Sequence, residues 1–445
     1  MKNSSYLWLL LLINTGNLLS QSTLDTLIAI GLTNNSGLKQ KNLELNKAES
    51  ALKEARGLFL PQIAFQAEYT YAEGGRTIAL PVGDLLNPVY STLNALTASQ
   101  AFPQIQNVNE QFLPNDFHDT RIRTTLPIFN SEIIYLNKIR KLNIEGISAE
   151  VIVYKRELIR DIKVAYFNYH QSKQAEIIYE NAIITLNSNL AITEALIRQE
   201  KALPVARLKA QAELLQVETD LGNARNTTKN ALAYINFLIN RPLDTQIQIK
   251  LKPEIPELII ESTNLTGREE LIQINSGINQ KKGLLKISQA RNYPNLGTFF
   301  DAGYQGFGYE FDDTQQYYLG GFRLNWNLFS GMQNKQKTNQ AKIEIQQLEL
   351  KYDEITRQLE MQLEITIREF NNKIMQIKSA EKALELAKEE YRLTSLSYKQ
   401  GASLPIELNE SFRKLMTSEL QLEILKSQAL VSYSKYERAS ASYNF

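Results

Sequence analysis

The sequence predicts a mainly α chain with a β-barrel portion, organised as a duplication in which each half carries a β-hairpin and a long helical hairpin. Three observations predict it. Four segments of about ten residues alternate apolar and polar side chains with a period close to two. Two stretches of about 70 residues carry helical spacing with no proline inside them. The order of these elements then recurs in the second half of the 445 residues, each half reading helix, strand, loop, strand, long helix, break, long helix.

At the N-terminus Lys2 precedes an uninterrupted apolar run from Tyr6 to Ile13. That run is short of the roughly 20 residues that span a bilayer, so residues 1–20 read as a cleaved signal peptide with the cut before Gln21. The first repeat is assigned to residues 21–241 and the second to 268–445. Between them, residues 242–267 hold Pro242, Pro253, Pro256 and Gly267 and read as a connector. The repeats are matched by "ARGLFLPQI" at 55–63 with "ARNYPNL" at 290–296, and by "LPIFNS" at 126–131 with "WNLFSG" at 326–331.

Composition excludes several classes. The chain has 49 Lys plus Arg against 48 Asp plus Glu and no long basic run, which argues against a nucleic-acid partner. Without a cysteine there are no disulfides, thiolate metal sites or lipid-modified cysteine. His118 and His170 are the only histidines, too few for most zinc chemistry, and both read as packing or surface residues. No Gly-rich phosphate loop, nucleophile elbow or metal-ligand cluster appears, so neither an enzyme nor a cofactor is expected.

From Gln62 to Tyr71, Ile63, Phe65, Ala67, Tyr69 and Tyr71 share one face and Ala64, Gln66, Glu68 and Thr70 the other. Residues 121–128, 296–304 and 318–328 repeat the pattern, with Phe299 out of phase on a polar face. Such strands suit a membrane barrel with a wet lumen, or two amphipathic hairpins packed on a soluble core. Residues 74–116, between the first two strands, form a far longer loop than residues 306–316. Pro81, Pro88, Pro103 and Pro114 with apolar residues between them fit a structured cap as well as a disordered segment.

Between Pro127 and Pro204 the only glycine is Gly146, and from Met332 to Gln400 there is none. A continuous helix of that length reaches roughly 100 Å, far beyond a globular domain. Ile345, Leu348, Tyr352, Ile355 and Leu359, then Ile377, Leu384, Tyr391 and Tyr398, keep the spacing of a coiled-coil seam. Each helix breaks at a proline and returns: "RQEKALPVARLK" at 198–209 and "YKQGASLPIELNESFRKL" at 398–415 are the two tips. Gly401 offers positive φ, Ser403 is the candidate N-cap, and Pro405 suits a first helical turn.

Four strands do not close a membrane barrel, and an open edge in lipid leaves backbone groups unpaired at several kcal/mol each. If the strands enter a membrane, several chains must therefore pool them, continued by their helical arms as a conduit.

Those residues, together with "NNSGLK" at 34–39 and the helix-end prolines Pro61 and Pro294, resemble the TolC family of outer-membrane efflux proteins across nearly the whole mature chain. The resemblance implies a homotrimer in which four strands per chain form a 12-stranded transmembrane β-barrel, continued by a periplasmic α-barrel. It implies docking onto an inner-membrane transporter through a periplasmic adaptor protein, with outer-membrane lipid around the barrel. It implies export of small molecules through a passive duct; a duct for secreted proteins, or a soluble periplasmic coiled-coil adaptor, are the alternatives. By the same resemblance Gly401 and Tyr398 belong to the tip, and Glu407 and Glu410 to an acidic pore ring of six carboxylates. Glutamates near a helix N-terminus are also favoured by the helix dipole alone. Arg207 and Lys209 stand in the corresponding turn of the first tip, as basic gate contacts or as solvated surface. Ser403 replaces an arginine of the family's pattern, which puts the usual closing contacts in doubt.

Overall fold

The computed structural model describes residues 23–248, 254–257 and 265–443. The expected signal peptide and the centre of the connector lie outside the described residues. In chain order the elements are α1 (Thr23–Asn34), α2 (Ser36–Gly57), β1 (Gln62–Thr70), β2 (Thr77–Leu80), α3 (Val82–Thr97), β3 (Val108–Gln111), β4 (Phe117–Phe129) and α4 (Ser131–Arg198). They continue with α5 (Val205–Leu238), α6 (Glu269–Ala290), β5 (Asn295–Phe307), β6 (Gln316–Asn325), α7 (Gln333–Lys399) and α8 (Pro405–Ser440). The chain divides into two compact units, one of Met1–Glu49, Leu142–Asn279 and Glu344–Phe445, the other of Ser50–Lys141 and Gln280–Ile343.

In the second unit β1, β4, β5 and β6 form one antiparallel sheet in that order, leaving β1 and β6 as its edges. The register aligns the alternation across strands. Phe65, Ile122, Ala302 and Tyr318 make one cross-strand row, and Ala64, Arg123, Asp301 and Leu319 make the next, on the opposite face. The apolar face is bare: Phe65 is 71% and Tyr318 83% exposed. Phe299, out of phase in the sequence, sits on the polar face beneath the guanidinium of Arg323, 5.3 Å from its ring centre. Pro127 is tolerated within β4 because the register shifts there, between Pro127 and Phe129. β6 ends at Asn325, so Trp326 to Leu328, expected as strand, lie beyond it; the Trp326 indole instead donates to the Asn292 carbonyl at 3.0 Å.

Residues 74–116 are structured. β2 and β3 pair as a two-stranded ribbon, and α3 is tied to the returning chain through side-chain amides. The "NNSGLK" segment at 34–39 is a joint between α1 and α2, where the Asn35 Oδ1 accepts from the Leu38 N–H at 2.9 Å and its amide donates to the Leu238 carbonyl at 2.8 Å.

The first unit is helical. α4 is 68 residues long and α7 67, as the proline-free stretches require. Leu27 and Ile28 of α1, Leu158, Ile159 and Ile162 of α4, and Leu232 and Ile235 of α5 form its largest apolar core. Gly31 lets α1 approach α4; a Cβ there would stand 2.4 Å from Ile162 Cδ1. On α7 the expected seam is turned inward, with Ile345, Leu359, Ile377 and Tyr398 buried. An ion-pair network ties helices together: Arg156 holds Glu269 at 3.0 Å, Glu270 takes both Arg268 at 2.8 Å and Arg438 at 2.6 Å, and Lys163 holds Glu437 at 2.7 Å.

Candidate functional site

The two helical tips lie in the first unit and are built alike. α7 stops at Lys399 and Gly401 takes φ +75°, with its N–H on the Tyr398 carbonyl and the Ala402 N–H on the Ser397 carbonyl. This Schellman closure satisfies the last carbonyls of the helix. The first tip closes with the same two bonds, Glu200 N–H to the Ile197 carbonyl and Lys201 N–H to the Leu196 carbonyl. There the left-handed residue is Glu200 at φ +61°, where glycine would be the unstrained choice. The tips are neighbours, since Lys201 Cδ lies 3.6 Å from the position a Gly401 Cβ would occupy.

Tyr398 is anchored. It is 2% exposed and packs against Leu196 and Leu408. Its hydroxyl is 2.9 Å from Thr193 Oγ1, which itself lies 2.8 Å from the Asn189 carbonyl. Thr193 has one proton and spends it on that carbonyl, so Tyr398 is the donor between them. Two helical turns back, the Tyr391 hydroxyl meets the Asn189 side-chain amide at 3.1 Å. Two seam tyrosines thus bolt α7 to α4. The seven-residue spacing of the tyrosines was legible; Asn189 and Thr193 were not, because nothing local marks which helix a seam faces.

Glu407 and Glu410 are both exposed, one turn apart on α8. Glu407 bends back, its carboxylate accepting the Leu404 N–H at 2.9 Å. It closes the helix N-terminus, the structural role that a glutamate three residues into a helix commonly takes. Ser403 is not the N-cap; Leu404 holds that position, and the Ser403 hydroxyl donates to Ser397 Oγ at 2.7 Å. Glu410 borders an open groove between α7 and α8, with Arg413 and Lys414 along its floor. Arg207 and Lys209 are exposed on the first turns of α5, and among the described residues neither pairs with Glu407 or Glu410. The two tips lie side by side, joined across their returning helices by Arg413 and Glu213 at 3.7 Å rather than through Glu407 or Glu410.

In the second unit the polar face of the sheet holds a second set of charges. Arg123 grips Asp301 with two bonds of 2.8 and 2.5 Å, Arg121 holds Asp119 at 2.6 Å, and the Tyr317 hydroxyl donates to Asp119 at 3.0 Å. Asp301 is fully buried although it faces the polar side. Its partner was illegible in the sequence because only the strand register brings residues 178 apart into one row.

Residues 265–436 match the family model of outer membrane efflux proteins. No curated protein sequence matches the chain. Among solved structures, CusC superposes with a TM-score of 0.78 at 13% identity, covering 94% of this chain and 92% of that one. The VceC outer-membrane protein of Vibrio cholerae gives 0.75 at 15% identity, covering 94% and 95%. The MtrE outer-membrane channel of Neisseria gonorrhoeae gives 0.76 at 15% identity, covering 94% and 88%. The chain therefore carries the fold of outer-membrane channels along almost its whole length, and its second half carries the sequence pattern of outer membrane efflux proteins. The resemblance read from the sequence is met by both comparisons.

Proposed function

From the outer membrane efflux match of residues 265–436 and the channel fold of the chain, we propose that this protein is the outer-membrane exit duct of a tripartite efflux system. Three copies pool their strands into a closed 12-stranded barrel and their helical hairpins into a periplasmic tube, each copy repeating its architecture across 21–241 and 268–445. A periplasmic adaptor joins the tube to an inner-membrane transporter, which supplies the energy, and small molecules are the cargo. The duct itself is passive.

The observation that carries this reading is the sheet: both edges are open, one face is apolar and bare, and the other is charged. Closure with other copies in lipid satisfies all three at once, since unpaired backbone in hydrocarbon costs several kcal/mol per group. A second observation supports pooling of the helices. Leu350, Met361, Ile365, Met375, Leu386 and Leu393 are exposed on the side of α7 opposite the buried seam, interspersed with Arg357, Arg368 and Lys382. Such a mixed apolar and charged side suits the flank of a neighbouring helix.

The tip is the gate in this reading. Gly401 and Tyr398 set the turn, and Glu410 leads an acidic ring that Glu407 joins when it releases Leu404. Arg207 and Lys209, exposed on α5, are available to carboxylates of a neighbouring copy. Crowded carboxylates attract cations, so the ring filters by charge. The test is planar-bilayer conductance of the mature protein beside Glu410→Gln and Glu407→Gln variants in the same salt. Cation-selective channels that lose selectivity mainly with Glu410→Gln support duct and ring together. Channels with unchanged selectivity keep the duct and remove the ring, and a protein that never conducts removes both.

A further inference from the structure

The insert between β1 and β4 carries a helix turned inside out. On α3 the polar side chains face the protein's own chain. The Asn87 amide makes a two-bond clasp with Ile105, donating to its carbonyl at 2.9 Å and accepting its N–H at 2.9 Å. Asn94 clasps Phe102 in the same way, at 2.7 and 3.0 Å, and Asp84 accepts from the Asn107 amide at 2.8 Å. These clasps imitate strand pairing with side chains and hold residues 102–107 along the helix. The opposite face is left to Leu85, Val89 and Leu96, which are 69%, 51% and 78% exposed. Those positions recur at helical spacing on one face, broken only by Thr92, whose hydroxyl is spent on the Pro88 carbonyl at 2.9 Å.

A stripe like this on a rigid, hydrogen-bonded insert is covered in the working protein. Charge decides by what. Residues 74–116 contain one basic residue, Arg76, which sits over the Phe112 ring at 5.2 Å, and three acidic ones, Asp84, Glu110 and Asp116. A segment with that net negative charge gains little from anionic lipid headgroups. The insert is also fastened to β1, an edge strand of the sheet, at the strand ends remote from the helical connections, where closure of the barrel requires other copies of the same chain.

We propose that the α3 helices of the three copies pack through Leu85, Val89 and Leu96 into an apolar cluster over the outer mouth of the barrel, narrowing or closing the exit. The proposal rests on the trimeric duct reading. It places a second barrier at the strand ends that carry the insert, one that opens by prying apart apolar surface and is therefore insensitive to salt, unlike a gate of charges.

The chain has no native cysteine, which makes the test direct. Leu96→Cys and, as a control on the same insert, Gln100→Cys are introduced into the mature protein in lipid nanodiscs. Particle mass is measured in parallel with oxidative cross-linking. The proposal expects trimeric particles in which Leu96→Cys forms covalent dimers and Gln100→Cys does not, together with a higher conductance in the Leu85→Asn, Val89→Asn, Leu96→Asn variant. Trimeric particles without Leu96→Cys cross-links, or with a fluorophore at that cysteine quenched by lipid-borne quenchers, overturn the cap and leave the duct standing. Monomeric particles overturn both.

Discussion

Gly401 and Glu200 make a matched experiment, because the same left-handed turn is filled by the permissive residue at one tip and by a strained one at the other. A Cβ at Gly401 would make only ordinary contact with the Lys201 side chain, so Gly401→Ala costs the backbone strain, about 1 kcal/mol, while Glu200→Gly relieves a similar amount. Denaturant midpoints of the two variants should move in opposite directions. Tyr398→Phe removes the donor to Thr193 but leaves Thr193 bonded to Asn189, so the loss is about 1 kcal/mol. If the tip is a gate, that variant also opens more often in single-channel records; unchanged opening would leave Tyr398 a packing residue alone. The glycine turn and both glutamates could be read from "YKQGASLPIELNE". That Glu407 caps its own helix could not, because a glutamate at that spacing serves a pore or a helix end equally well until its rotamer is known.

At the scale of elements, Glu270 joins α6 to α8 through Arg438. Burial pushes its carboxyl up, but the hydrogen bond from Arg268 and the charges of Arg438 and Arg268 outweigh it, and the pKa falls to about 2. A depressed acid stabilises the fold fully above its ordinary pKa and loses that contribution as pH falls toward the folded value. Glu270 therefore contributes about 2 kcal/mol at neutral pH, after allowance for its partly open side, which disappears between about pH 4.5 and pH 2. Glu270→Gln should lower the unfolding midpoint at pH 7 and flatten the acid limb of the stability profile; a variant with an unaltered acid limb would put the pH dependence elsewhere. The long helices and three of the four sheet strands were legible almost to their ends because periodicity over many residues averages out local noise. β6 ran short, and the insert hid a helix and a ribbon, because Pro81, Pro88 and Asn-rich segments read as loop whether or not their amides find backbone to hold.

For the whole molecule, the exposed apolar residues of α7 predict an assembly rather than a stable lone chain. Leu386→Glu, placed among them and away from the buried seam, should leave the helical content intact and shift detergent-solubilised particles from trimer to monomer. Circular dichroism with light scattering checks both halves of that statement, and a trimer that survives the charge would move the interface off this face. The apolar strand face makes a parallel demand for lipid, and among the described residues no helix is long and apolar enough to cross a membrane by itself.

The amino-acid sequence alone determined the periods, two in the strands and three to four in the helices, the lengths of α4 and α7, the places where the chain reverses and the duplicated order. These are local or repetitive signals, and each residue needs only its neighbours in the chain to express them. Tertiary structure decided which residues meet: Arg123 with Asp301 through strand register, Tyr398 with Thr193 through the choice of facing helix, and Asn87 and Asn94 with a returning segment that leaves α3 apolar side out. Those pairings join positions 8 to 205 residues apart, and only the packed chain brings them within reach of a hydrogen bond.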